Sequence, residues 1–203
     1  MLFLRSSLLA AALAVSSLVA QAATVNLDAD GQWHAFTVSP DQSVSGGLEW
    51  TVGDDSGNPE FGSALNYTFT IAAGQQGKLT VVDGVFAGDV FNVLNNGQLL
   101  GSTSAVPLTY YVDGPTNVGY DFDAALADGA FSQTVFTLAA GSYSISGYLT
   151  QSVLFDRDLA EPLNATEGAL KLSVSAVPEP STAALVWAAI GVIALVMRRQ
   201  SRR

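Results

Sequence analysis

Three stretches of this chain alternate strictly between large apolar and small polar residues, and that period of two limits the fold more than any other feature. Leu65, Tyr67, Phe69 and Ile71 are separated by Asn66, Thr68 and Thr70. Tyr143, Ile145, Gly147 and Leu149 stand against Ser142, Ser144 and Ser146, and Leu170, Leu172 and Val174 against Lys171, Ser173 and Ser175. A β-strand sends successive side chains to opposite faces, so each stretch is expected to bury one face and wet the other. Shorter runs at 33–38, 48–52, 78–82, 90–94 and 133–138 predict further strands. Turn chemistry separates them at Gly46-Gly47, 54–59, Gly74, Asp113-Gly114-Pro115 and Ala140-Gly141. Asn96-Gly97 tolerates the positive φ that a type I′ hairpin demands at both central residues, so 90–95 should fold back on 98–102. One short helix is expected at 123–128, capped by Asp123 and stopped by Gly129. About eight to ten such strands argue for an all-β domain, an antiparallel β-sandwich of jelly-roll style.

The two ends of the chain follow different rules. At the start, Arg5 precedes an apolar run from Leu8 to Ala20, and Ala20-Gln21-Ala22 supplies the small-x-small pattern at which signal peptidase cuts. Residues 1–22 are therefore expected to be a signal-peptide helix, and the domain to occupy 23–176. At the other end, Pro178-Glu179-Pro180 cannot join a regular ladder. Residues 183–197 carry no charge and, as a helix at ~1.5 Å per residue, would reach roughly 22 Å, a marginal membrane span. Arg198, Arg199, Arg202 and Arg203 would hold that helix's end on the cytoplasmic side.

This ordered triplet of proline motif, apolar segment and arginine cluster, across 177–203, resembles the PEP-CTERM sorting signal of Gram-negative bacteria. The resemblance implies cleavage near Pro178-Glu179-Pro180 by an exosortase, an integral-membrane cysteine protease. It implies a precursor held transiently in the inner membrane through 183–197 with its domain in the periplasm, and a mature form at the cell surface or outside the cell. A plain C-terminal anchor with a chance Pro-Glu-Pro is the alternative. The segment Asp83-Gly84-Val85-Phe86-Ala87-Gly88-Asp89-Val90-Phe91, continuing to Asn96-Gly97, is also similar to a stretch found in many exported proteins with such tails. With 123–127 and 138–141 it resembles their β-sandwich domain, and it carries no known chemistry. Gly88-Asp89 reads as a turn before a strand whose Phe91 and Val93 point inward.

Charge and composition narrow the chemistry. Between 23 and 176 three basic residues, Lys78, Arg157 and Lys171, face seventeen acids, a net charge of −14. Such a surface repels phosphate backbones, so no nucleic-acid partner is expected. The chain has no cysteine and one histidine. Thiol catalysis, thiolate metal sites and multi-histidine metal sites are thereby excluded. A serine hydrolase would have to use His34 as its base, yet His34 shares strand parity with Phe36 and Val38 and there is no Gly-x-Ser-x-Gly elbow. It reads as a satisfied histidine at the edge of the core. Paired carboxylates are too abundant here to single out a glycosidase pair.

No catalytic residue and no cofactor are assigned. A structural calcium ion would draw on Asp28/Asp30, Asp54/Asp55/Glu60 or Asp121/Asp123, with solvated acidic loops as the alternative. The reading that results is an exported, C-terminally processed, non-catalytic surface or extracellular-matrix protein linked to exopolysaccharide or biofilm. The second reading is a carbohydrate-binding module using Trp33, Trp50, Tyr110, Tyr111 or Tyr120 as stacking platforms. Aromatics gathered on one exposed face would favour the module, and aromatics buried between sheets the matrix protein.

Overall fold

The computed structural model describes residues 22–53, 57–164 and 166–177, together with 186, 189, 190, 192, 193 and 197–200 of the tail. The strands are β1 (Ala23–Asn26), β2 (His34–Val38), β3 (Leu65–Ile71), β4 (Gln75–Phe86), β5 (Val90–Asn95), β6 (Gln98–Ser102), β7 (Asn117–Gly119), β8 (Gln133–Leu138), β9 (Gly141–Gln151) and β10 (Thr166–Ala176), joined by a 3-10 turn at Tyr111–Asp113 and a short α-helix, α1 (Phe122–Ala127). One sheet runs β1-β3-β9-β5-β6. The second runs β2-β10-β4-β7, with β8 also paired to β4. The apolar sides of the two sheets share one core, the arrangement of a β-sandwich.

The alternating stretches bury the faces their spacing requires. Leu65, Tyr67, Phe69 and Ile71 are all buried on β3, as are Ile145 and Leu149 on β9 and Leu170 and Leu172 on β10. Phe91 and Val93 of β5 are fully buried. The β5–β6 hairpin turns on Asn96 at φ 50° and Gly97 at φ 75°, and Asn95 faces Gln98 across it. These are the signs a type I′ turn requires.

Three expectations need correction. The pairing is not antiparallel throughout, because β1 runs parallel to β3, with Ala23 opposite Leu65 and Asn26 opposite Thr68. Residues 48–52 are not a strand. Glu49 bridges Tyr148 in the first sheet, while Thr51 bridges Thr37 in the second and Ala64 beside β3. The segment passes from one sheet to the other, so no long ladder forms, and its Trp50 lodges between them against Phe36, with ring centroids 3.9 Å apart. A β-carbon at Gly147 would lie 2.4 Å from the Trp50 ring, so the indole fits only because that strand position is glycine.

The third correction is the cap of α1. Asp121, not Asp123, accepts the Ala124 N–H at 2.9 Å. Asp123 instead accepts from Trp33 Nε1 at 3.0 Å and Lys171 Nζ at 2.9 Å. Phe122 and Ala125 of α1 pack with Phe131, Val82 and Ala169 to form a second, smaller core on the outer side of the second sheet.

Among the described residues no helix is long and apolar enough to cross a membrane. The described tail residues Val186, Ala189, Ile190, Val192, Ile193 and Met197–Gln200 have helical backbone and are exposed. The expected signal-peptide helix, and the greater part of the expected helix at 183–197, lie outside the described residues.

Candidate functional site

At the free edge of β2 the two sheets part around a cavity of about 410 Å³. Val25, Val52 and Leu65 give it an apolar floor, and His34, Tyr67, Thr37, Tyr120 and Glu167 give it polar walls. Tyr67 is fixed by donating its phenol to the Ala35 carbonyl at 2.7 Å, and burial pushes its pKa up. Glu167 comes from β10 beside Thr37 of β2, its register partner. Burial raises its carboxyl above the usual range, and hydrogen bonds from Thr37 and Tyr120 pull partly the other way. Those bonds are long, 3.2 Å from Thr37 and 3.5 Å from the Tyr120 phenol. The Tyr120 phenol is raised in turn, first by the Glu167 charge.

His34 enters the cavity with core parity, as its strand position requires, and meets Tyr67 edge-on at 6.3 Å. Its Nε2 is buried without a hydrogen-bond partner, so the histidine is not satisfied as its sequence position suggests. The cavity lining contains no serine, and among the described residues no carboxylate hydrogen-bonds the imidazole. A triad needs a nucleophile, a base and a group orienting the base, and these walls bring no such set together.

The aromatic candidates do not all share a face, although Trp33 and Tyr120 both pack against Phe122. Trp50 is fully buried, its Nε1 unpartnered and its ring against Phe36 and Phe91. Trp33 is half-buried, with Lys171 Nζ 4.1 Å over its ring. Tyr110 lies under Arg157 at 4.5 Å, and Tyr111 stacks on Phe155 at 6.0 Å. Only Tyr120, 68% exposed, stands at the cavity with an open ring.

The described acids considered for calcium also close turns, cap the helix or pair with a cation. Asp30 Oδ1 accepts the Gln32 N–H and Asp28 Oδ1 accepts from Asn26. Asp121 and Asp123 are separated by their roles as cap and ion-pair partner. Asp54 and Asp55 lie outside the described residues, and Glu60 belongs to a turn in which its N–H reaches Asn58. Among the described residues no three His, Asp or Glu side chains gather as a metal set.

A pair to which the sequence gives no chemistry is the most buried set of carboxylates among the described residues. Asp83 and Asp89 flank the β4–β5 turn at 0% and 2% exposure. Burial pushes Asp83 well up, and the neighbouring Asp89 charge adds to it. Burial likewise raises Asp89 to about 7, against hydrogen bonds from Val153 and Thr166. The available signal was parity, since Asp83 shares the inward alternation of Leu79 and Val81.

Of the processing residues, Ala22 precedes β1 and Ala23 is its buried first residue, donating to the Ala64 carbonyl at 2.7 Å. Ala20, Pro178, Glu179, Pro180, Arg202 and Arg203 lie outside the described residues, while Arg198 and Arg199 are helical and exposed. The last described residue before the motif, Val177, donates to the Gly74 carbonyl at 2.9 Å.

No family model matches the chain, and no curated protein does. Among solved structures it is similar to the pre-peptidase C-terminal domain of a collagenase from Bacillus anthracis. That match is at 11% identity over 75% of this chain and 95% of the other, with a TM-score of 0.34.

Proposed function

We propose that this chain is an exported, non-catalytic surface or extracellular-matrix protein, cut near Pro178-Glu179-Pro180 by an exosortase and linked to exopolysaccharide or biofilm. A jelly-roll connectivity for the sandwich and helices at 1–22 and 183–197 belong to the same proposal. The observation that carries it is where the fold ends. Strand β10 runs to Ala176, Val177 makes one last bond to Gly74, and the proline motif follows at once. Pro178 and Pro180 have no N–H to give a ladder, and a cut beyond Val177 would remove none of the described strands. The large side chains of Val186, Ile190, Val192, Ile193 and Met197 are all about half exposed or more, a surface that suits lipid better than water. Replacing Pro178-Glu179-Pro180 with three alanines is expected to leave an uncleaved precursor in the inner membrane. The wild type should be trimmed and leave that membrane, but only in cells that carry an exosortase. Equal size and equal fraction for both, with and without the enzyme, would reduce the motif to a stiff spacer.

A second reading, a carbohydrate-binding module, is favoured by one observation. The cavity places the open ring of Tyr120 beside Glu167, Thr37 and the unpartnered His34 Nε2, a stacking face next to several hydrogen-bonding groups. Binding of neutral polysaccharides that is abolished by Tyr120→Ala, with the melt unchanged, would support it. Equal binding by that variant would remove it.

A further inference from the structure

The Asp83–Asp89 turn has more hydrogen-bond donors than a buried acidic pair needs for packing, and one oxygen they leave out. Asp83 Oδ2 accepts the backbone N–H groups of Gly88 at 3.1 Å and Asp89 at 3.2 Å. Asp89 Oδ1 accepts the Val153 N–H at 2.7 Å, and the Thr166 hydroxyl also bonds this carboxyl. Asp83 Oδ1 is out of reach of solvent and has no partner. An acceptor so placed calls for something positive against it. The domain's own cations are committed elsewhere: Arg157 pairs with Asp113, Lys171 pairs with Asp123, and Lys78 is exposed.

We propose that Asp83 and Asp89 are the carboxylate pair of a buried divalent-cation site, and that calcium is the ion it takes. Two carboxylates and one divalent ion make a neutral unit, the form in which charge is tolerated in an interior. The nearby side-chain donors are all oxygen, from two carboxylates and the Thr166 hydroxyl, which selects a hard cation over zinc or copper. Magnesium keeps several of its waters, whereas calcium sheds them and completes an irregular shell with main-chain carbonyls. Side chains this deeply buried favour the ion that gives up its water. The N–H bonds to Asp83 Oδ2 and Asp89 Oδ1 hold the pair in place, as outer-shell partners hold metal ligands. The ion would join β4 and β10 of one sheet to β5 and the end of β9 in the other, tying the sandwich together at this turn. This inference does not depend on how the tail is processed.

The test uses the full chain in detergent, stripped with a chelator at pH 7.5 and returned to calcium, to magnesium, or to sodium chloride of equal ionic strength. Calcium at about 1 mM, the range of extracellular calcium modules, is expected to raise the melting temperature of the wild type by several degrees. Titration calorimetry should show one calcium per chain, with no comparable response to magnesium or sodium. Asp83→Asn and Asp89→Asn keep the side-chain shape but halve the charge, and both should lose the calcium response. Should either variant fail to fold, the calorimetric stoichiometry of the wild type decides alone. The absence of calcium uptake by the stripped wild type overturns the proposal. So does a calcium shift that both variants retain, or a stability that falls as pH rises equally with and without calcium, since the pair would then hold a proton instead.

Discussion

Thr166 and Glu167 are neighbours on β10, yet they reach opposite faces of the second sheet and two very different polar regions. Thr166 turns inward to the Asp83–Asp89 pair, where every polar atom is dry and nearly every one is bonded. Glu167 turns outward to the cavity at the β2 edge, where the bonds are long and water has access. The difference teaches where this fold keeps its rigidity. A buried acceptor that loses a partner costs its full desolvation, whereas a wet one finds a water molecule instead. The Asp turn should therefore govern stability, and the cavity should be free to change without it.

The sharpest way to break that contrast is Asp89→Ala. It strands the Val153 N–H and the Thr166 hydroxyl and leaves a hole in the core end, and a loss of about 2–4 kcal/mol is expected in denaturant melts. A loss below ~1 kcal/mol would erase the distinction between the two regions. A smaller effect of opposite sign is expected at Val85, which sits in the same turn at φ 59°, a left-handed conformation that crowds a β-branched side chain. Val85→Gly should raise stability by about 1 kcal/mol. A lower melting temperature would mean that the packing of the Val85 side chain outweighs its backbone strain.

On the cavity side the effects shrink. Glu167→Gln should shift stability by about 0.5 kcal/mol or less, because a wet site offers replacement partners, and so should His34→Gln, whose Nε2 has no partner to lose. A melt as damaged as that of Asp89→Ala would show the cavity to be structural after all. The smallest effect is a pH slope. The folded-state pKa of Glu167 is raised above its ordinary 4.5. Folding thus favours its protonated form, and its contribution is present below about 4.5 and lost as pH rises through the higher folded value. The stability difference between wild type and Glu167→Gln should therefore move against the wild type as pH rises from 4.5. A difference flat in pH would place Glu167 fully in solvent.

The legible parts of this fold are those fixed by a few consecutive residues. The alternation from Leu65 to Ile71 and the Asn96-Gly97 turn each encode their own geometry, and both stand as read. What the sequence hides depends on partners far along the chain. The short run Ala23–Asn26 has no local feature that makes it parallel to β3. Trp50 carries a strand-like neighbourhood, but it is placed by Phe36, Phe91 and the missing β-carbon of Gly147. Asp83 sits in a run where acids favour loops, and only its core parity marks it as buried, while Asp89 is placed by Val153 and Thr166 far along the chain. His34 was visible as the lone imidazole, but its unpartnered nitrogen is a property of the cavity.

The proposed processing requires a fold that is complete at Val177, and the most direct measurement compares the melt of residues 23–177 with that of the full chain in detergent. The fragment is expected to give a β-type circular dichroism spectrum and a single cooperative transition, within a few degrees of the full chain and with the same calcium response. Val177 is the last described residue before the motif, and its N–H is still tied to the Gly74 carbonyl, so the fragment keeps every described strand. A fragment that aggregates without a transition across ordinary salt and pH would contradict the account. It would mean that the tail is part of the fold and could not be removed by processing without destroying it.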